Sequence, residues 1–239
     1  MLPVPRRSAI GTAAFLLFAG LALTGCDGGG TDTTSVASTA PNAHEMLIRA
    51  QRAVSHVTTF HVVGSIKQAA GDFNVNLHFA GPKGAYGSIA YSGISFHVVR
   101  IRRSIYFKAP ANFYAKVGLA TKTADLIANR WIKADAGTPG FRKFAIFTSS
   151  SQFFQGILAS AMSGKLVRMP GAMEIGGVPA AALSIPNNGG RLYLALRGPA
   201  LPIRIDGPAD SGSVRIVDYG RPVTLTAPRG AVDFTGIRT

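Results

Sequence analysis

The stretch Phe73-Asn-Val-Asn-Leu-His-Phe79 alternates apolar and polar side chains at every position. Because successive side chains on a β-strand point to opposite faces, this pattern predicts a strand with one face in a core and the other in solvent. It is the clearest such pattern in the chain. We therefore expect the fold to rest on a sheet with one apolar face, and we interpret the neighbouring segments around it.

Four more strands with the same period are predicted, one before this stretch and three after it. They begin near Phe60, Tyr86, Ile94 and Ser104. Glycine-, proline- and arginine-containing turns separate them. Consecutive strands joined by short turns pair antiparallel, so residues 60–108 are expected to form a five-stranded meander.

A second set of strands is predicted after residue 165, where Gly176-Gly177 and the run 187–190 supply turns. It starts at Leu166 and continues with the segments Met173–Ile175, Ala180–Ile185, Arg191–Leu196, Leu201–Asp206, Ser213–Val217 and Val223–Thr226.

Residues 109–164, between the two sets, are expected to form an apolar and helical insert around Trp131, the only tryptophan. Short helical segments are expected at 112–117 and 121–128. A longer helix, capped by Thr148 or Ser149 and stopped by Gly164, carries apolar residues at helical spacing: Phe153, Phe154, Ile157, Leu158 and Met162.

Another amphipathic helix is predicted at the start of the folded region. Asn42 can cap it, with Glu45 as its capping-box partner. An apolar stripe follows at Met46, Leu47, Ala50 and Val54. This stripe needs a sheet to lie on.

Runs of strands with segregated helices indicate an α+β fold. We expect one domain, residues 42–239, with a strongly curved antiparallel sheet of about ten or eleven strands. This half-barrel would be covered on its concave face by the two amphipathic helices. The space between sheet and helices is either packed core or a ligand cavity.

The N-terminus has the layout of a secretory signal over residues 1–25: Arg6 and Arg7, an uncharged apolar run from Ile10, and a small-residue exit. The apolar run is short for a membrane span, which usually needs ~20 residues. The exit Leu23-Thr-Gly-Cys26 contains the only cysteine and resembles the bacterial lipobox. That resemblance implies cleavage before Cys26 and a diacylglyceryl group on its thiol. A lone buried cysteine, after a simple signal or a transmembrane helix, is the alternative.

Residues 26–41 are small, polar and without periodicity, which predicts a flexible linker after the lipidated cysteine. With Cys26 lipidated, disulfides and thiol chemistry are excluded. The chain carries a formal net charge of +14. Such a charge favours acidic partners, and since export argues against nucleic acid, anionic lipid headgroups or acidic envelope polymers remain. A generally basic proteome is an equally good explanation.

No catalytic motif is present, so we predict that the protein is not an enzyme, and we expect no cofactor or metal site. His61, His78 and His97 are out of phase with their apolar neighbours and can share one sheet face. With few acidic residues in their vicinity along the chain, surface or hydrogen-bonded histidines are favoured over a metal or proton-sensing cluster.

The candidate lipid-binding residues come from two apolar patterns, and core packing is the alternative for each of them. They are Phe73, Val75, Leu77, Phe79, Phe153, Phe154, Ile157 and Leu158. Arg100, Arg102, Arg103 and Lys108 are candidates for attracting anionic headgroups to a cavity mouth, or else a solvated basic turn.

The tail from Gly212 to Leu225, with Ile175-Gly-Gly-Val-Pro-Ala180 and Ile203-Arg-Ile205, resembles actinobacterial lipoproteins of the LppX/LprG type. The lipobox, linker and first helix fit the same layout. The resemblance implies a half-barrel similar to LolA and LolB, with an apolar cavity that carries acylated lipids.

The sequence thus predicts a lipoprotein on the extracytoplasmic face of the cell membrane, anchored through Cys26, that binds or transfers acylated lipids or phospholipids. The insert 109–164 would act as a lid, and an export machinery is a possible partner. The alternative is a non-enzymatic envelope interaction protein with a packed core and a basic surface for acidic polymers or protein partners.

Overall fold

The computed structural model describes residues 41–67, 71–116, 118–137, 147–162, 166–185 and 189–234. These residues belong to one compact unit, 40–239. Cys26, the lipobox, the linker up to residue 40 and the predicted helix stop Gly164 lie outside the described residues. Four helices are present in the described ranges: α1 (Ala43–Ser55), α2 (Ala111–Lys116), α3 (Thr121–Ile127) and α4 (Ser150–Met162).

Within the described ranges, thirteen strands form one sheet. They are β1 (Phe60–Ile66), β2 (Phe73–Phe79), β3 (Gly84–Tyr91), β4 (Ile94–Ile101), β5 (Ser104–Lys108), β6 (Trp131–Asp135), β7 (Val167–Arg168), β8 (Met173–Ile175), β9 (Val178–Ile185), β10 (Gly190–Ala195), β11 (Pro202–Asp206), β12 (Gly212–Val217) and β13 (Val232–Asp233).

The strand order is β13-β6-β5-β4-β3-β2-β1-β12-β11-β10-β9-β7, with β8 paired to β9. Among the strands that the structure describes, every pair is antiparallel except β13 with β6. The α+β class, the mostly antiparallel sheet and the meander over 60–108 are therefore confirmed. The part of the chain that the structure describes contains thirteen strands, where about ten or eleven were expected.

The insert 109–164 is not wholly helical, which corrects one prediction. Its Trp131–Asp135 segment is strand β6, which pairs with β5 and extends the sheet. Ile132 and Ala134 point into the core together with Phe113 of α2 and Ile127 of α3. Since these elements belong to the sheet and its core, α4 is the remaining helix of the described part of the insert.

The strand predicted at Val223–Thr226 is also wrong, because residues 221–228 have no regular structure. The preceding strand β12 already has β1 on one side and β11 on the other. Pro222 and Pro228 remove two backbone donors from the segment. The chain pairs again only at β13, beside β6.

The centre of the sheet is the pairing of β1 with β12, which joins the two sets of strands. Gly64 makes it possible. A Cβ atom there would lie 2.2 Å from the carbonyl oxygen of Ser213, and the φ of +151° disfavours any other residue. The glycine therefore lets the second set of strands add to the edge of the first.

One sheet face, called the helix face below, carries the buried residues Val62, Leu77, Val98, Phe107 and Ile132. Residues of α1 and α4 pack on this face. Met46 and Leu47 of α1 share a cluster with Leu158 of α4 and with Leu183 and Leu192 of the sheet. The opposite face, called the outer face, carries the alternate residues of the same strands.

Helix α1 starts as predicted. The Asn42 side chain accepts a hydrogen bond from the Glu45 backbone N–H at 2.9 Å, and the Glu45 carboxylate accepts one from the Asn42 N–H at 3.1 Å. Ser149, not Thr148, caps α4, since its Oγ accepts from the Gln152 N–H at 3.5 Å. No helix in the described part of the chain is long and apolar enough to cross a membrane.

Replacing Asn42 by alanine is expected to lower the free energy of unfolding by about 1 kcal/mol, because the Glu45 backbone N–H loses its side-chain acceptor. Urea unfolding followed by circular dichroism measures the loss. Asn112→Ala, a position on the short helix α2, is the control and should change little. Equal losses in both variants would contradict a specific role for the cap.

Candidate functional site

A cavity of about 510 Å³ lies between α4 and the helix face of the sheet. We call it the apolar cavity. Its sheet side is formed by Val62, Val75, Leu77, Leu192, Ile205 and Val214, which come from both strand sets. Its helix side is formed by Phe153, Gly156 and Ile157. The β1–β12 pairing therefore builds the site, because it brings the two sets together.

Gly156 helps to keep this space open. It lies on α4 between two bulky cavity residues, Phe153 and Ile157. Outside the backbone of its own helix, a Cβ atom built at this glycine meets nothing within 4 Å. A larger residue at this position would enter the space that the glycine leaves.

Few polar side chains reach the apolar cavity. Among the described residues that line it, Gln152 and Asp206 carry polar groups, and the strand register turns the Asp206 carboxylate towards the outer face. The Asp206 carboxylate already accepts hydrogen bonds from the Tyr193 hydroxyl at 2.7 Å and from Arg204 Nε at 2.5 Å. A long apolar ligand matches such a lining, which offers few polar partners.

The eight predicted lipid-binding residues divide between different places. Five line the apolar cavity: Phe73, Val75, Leu77, Phe153 and Ile157. Phe154 and Leu158 line a second cavity. Phe79 lies in the core, where its ring stacks on Phe60 with centroids 4.4 Å apart. Their role in binding lipid stays a prediction.

The second cavity, of about 640 Å³, lies between α1 and the start of α4. Its lining is more polar, with Gln51, Ser55 and residues 148–151. Arg100 also borders it, so this is the one predicted headgroup residue that reaches either of these cavities. Arg103 forms an exposed ion pair with Asp135, and Lys108 lies on the outer face.

An aromatic cluster supports the wall of the apolar cavity. The Phe153 ring lies 5.7 Å from that of Phe60 and 5.3 Å from that of Phe79. Tyr219 joins from the loop after β12, and its hydroxyl donates to the Pro202 carbonyl at 2.5 Å. Burial raises the pKa of Tyr219. The cluster thus packs α4 against the sheet.

Two of the three predicted histidines come together on the outer face. His61 and His78 are directly opposite on neighbouring strands, and their rings stack 3.9 Å apart. His97 lies two strands from His78, across β3. An acidic partner is present after all, since Asp218 lies 3.6 Å from His61 Nδ1. Desolvation, with His61, lowers the pKa of His78 against the opposing effect of Asp218.

No cluster of three or more His, Cys, Asp or Glu side chains able to hold a metal ion occurs in the described ranges. The absence of a metal site and of enzymatic activity stays a prediction.

No family model matches the sequence, and no curated protein matches it. Among solved structures, the protein is similar to LprF from Mycobacterium bovis (14% identity, TM-score 0.46), with 77% of this chain and 95% of that one covered. It is also similar to the lipoprotein LppX from Mycobacterium tuberculosis (16% identity, TM-score 0.44), with 76% and 96% covered.

A third similar structure is an uncharacterized conserved protein from Thermus thermophilus, at 10% identity and a TM-score of 0.38, with 80% and 97% covered. The first two are mycobacterial lipoproteins of the LppX/LprG type, which the sequence resembles. At these identities and scores, the likenesses assign neither a family nor a function to this chain.

Proposed function

We propose that this protein is a membrane-anchored lipoprotein that binds or transfers acylated lipids in the cell envelope. The observation that carries the proposal is the apolar cavity of about 510 Å³ under α4. Its volume falls within the roughly 300–1,000 Å³ that is usual for ligand pockets. Its scarcity of polar side chains favours an acyl chain over a polar ligand.

In this proposal the open sheet curves as a half-barrel, and α1 and α4 cover its concave face. The diacylglyceryl group on Cys26 and the linker 26–41 hold the domain beside the bilayer. An acyl chain that moves from the bilayer into the cavity passes from one apolar environment to another. It therefore avoids the free-energy cost of exposure to water, which is ~0.8 kcal/mol per CH₂.

The moving part of the lid is α4. The remainder of the insert 109–164 contains β6 and the core residues of α2 and α3, which are held by the sheet. The proposal further includes an export machinery that receives the lipid. In it, the acyl group binds without a cofactor and without a catalytic step.

Native mass spectrometry of the protein purified from a lipid-containing host tests the proposal. We expect an additional mass that extracts into organic solvent and proves to be an acylated lipid. Uptake of a fluorescent fatty acid by the delipidated protein should follow. A clean mass without uptake would instead favour the interaction protein with its basic surface.

Replacing Cys26 by alanine tests the anchor separately. Because the lipobox interpretation assigns both lipidation and processing to this thiol, Cys26→Ala should leave the protein unprocessed or released from the membrane. Cell fractionation with intact-mass analysis distinguishes these states. A Cys26→Ala protein that stays in the membrane with its signal cleaved would contradict the lipobox assignment.

A further inference from the structure

The outer face of the sheet carries an excess of positive charge. Strands β1–β6 and β10–β12 place five Lys and Arg residues on this face and two Asp residues. The carboxylates of Asp135 and Asp206 are already paired with Arg103 and Arg204. The basic residues are Lys108, Lys133, Arg191, Arg204 and Arg215.

Many of the polar and basic groups form one row across the sheet. The strand registers align one residue from each of eight neighbouring strands, in the order β6-β5-β4-β3-β2-β1-β12-β11. At ~4.8 Å between strands, the row is about 34 Å long, which is longer than a single small ligand. Its members are Trp131, Lys108, His97, Ser88, Asn76, Val63, Arg215 and Arg204.

A groove of about 350 Å³ lies in the same face. Its lining combines aromatic rings with amide, hydroxyl and imidazole groups: Tyr86, Trp131, Asn76, Ser88, His78 and His97. Tyr86 is 37% exposed and stacks on His78, with centroids 4.8 Å apart. Aromatic rings with neighbouring hydrogen-bonding groups fit a sugar, whose ring has an apolar face and a polar edge.

His61, which stacks on the groove residue His78, also contacts the groove residue Asn76. The ring of His61 contacts the Asn76 side-chain oxygen at 2.9 Å. The neighbouring pKa of His78 is lowered, chiefly by desolvation, so its ring favours the neutral form. A fixed positive charge near the groove comes from Lys108, beside Trp131 and His97 in the strand register.

We infer that the outer face binds a carboxylated polysaccharide that runs across the strands. Sugar rings contact Tyr86 and Trp131, and carboxylates pair with Lys108 and Arg215. The charge of the face is complementary to such a polymer, and the row length fits several sugar units. This site is on the face opposite the apolar cavity and does not depend on lipid binding.

A membrane surface fits this face less well. The row of outer positions next to the basic residues is small or polar: Ser65, Asn74, Ala90, Ser95 and Ser213. Large apolar side chains that would enter the headgroup region are missing from these positions. Anionic vesicles are therefore a control in the experiment below.

The test measures binding of the full-length protein, in detergent, to immobilised polygalacturonate at low salt. Dextran, an uncharged polysaccharide, and polyglutamate, a carboxylated polymer without sugar rings, are run in parallel. We expect binding to polygalacturonate that weakens with added salt and exceeds binding to the other two. Equal binding to polyglutamate, or none to polygalacturonate, would overturn the inference.

Two matched pairs of variants locate the site. Tyr86→Ala should weaken polygalacturonate binding roughly fivefold, whereas Tyr91→Ala, at the end of the same strand and 42% exposed, should not. Lys108→Gln with Arg215→Gln should weaken it about tenfold. Arg49→Gln with Lys122→Gln, on exposed helix positions, removes the same charge and should have little effect.

Equal effects within either pair would overturn the assignment to this face. The assignment would also be overturned if the protein bound anionic phospholipid vesicles more tightly than the polymer and if Tyr86→Ala lost that vesicle binding. Fatty-acid uptake should be unchanged in all four proteins, since the apolar cavity is on the other face. Retained uptake with lost polymer binding therefore separates this site from the proposed lipid function.

Discussion

Replacing Phe60 by alanine is expected to lower the free energy of unfolding by about 3–5 kcal/mol. The side chain is 1% exposed and lies at the centre of the aromatic cluster. Its ring contacts Phe79 at 4.4 Å, Phe154 at 4.6 Å and Phe153 at 5.7 Å between centroids. Alanine leaves a cavity between β1, β2 and α4, and these aromatic contacts are lost together.

Chemical denaturation followed by Tyr and Trp fluorescence measures this effect. Leu126→Ala removes a large side chain that is 73% exposed on α3, so it should cost less than about 0.5 kcal/mol. Phe60→Leu keeps most of the side-chain volume, so its loss of unfolding free energy should lie between those of Phe60→Ala and Leu126→Ala. If Phe60→Ala cost no more than Leu126→Ala, the cluster would not be holding α4 on the sheet.

The local elements of this fold can be predicted because their signals lie within a few residues. The alternation of Phe73–Phe79 fixes both the strand and its buried face. The cap at Asn42 requires only Glu45, three positions later. The sequence of strand β6 gives no clear alternation of apolar and polar residues. The strand has only five residues, of which Ile132 and Ala134 are buried, and it follows two helices.

The site depends on contacts that no local pattern contains. The pairing of β1 with β12 brings Val214 beside residues of β1, and Ile205 follows on β11. Neither is among the predicted lipid-binding residues, although both lie on apolar alternations. Gly156 could not be predicted as a cavity residue. The apolar pattern of α4 identifies positions with apolar side chains, and a glycine has no side chain to contribute to it.

The outer face shows the same limit. The phase of His61 and His78 is enough to place them on one face. Their direct stacking requires the β1–β2 register, and the contact with Asp218 requires the loop after β12 to return to the start of β1. The Gly220 N–H donates to the Thr59 carbonyl there, which no sequence spacing indicates.

Replacing Gly156 by tryptophan is expected to reduce fatty-acid uptake roughly tenfold or more, which corresponds to ~1.4 kcal/mol of binding free energy. The new side chain starts from a position that faces open space and enters the apolar cavity between Phe153 and Ile157. Folding should not suffer, because a glycine inside a helix costs roughly 0.5–1 kcal/mol relative to alanine. Titration with a fluorescent fatty acid, alongside thermal unfolding, measures both effects.

Gln155→Trp is the matched control, because the neighbouring residue of α4 borders the second cavity instead. It should leave uptake unchanged if the acyl chain occupies the apolar cavity. Gly156→Ala, which adds only a methyl group, should retain uptake and unfold at a slightly higher temperature. If Gln155→Trp abolished uptake while Gly156→Trp preserved it, the acyl chain would belong between α1 and α4. The more polar lining there, with Arg100 at its edge, would then be the part that selects the lipid.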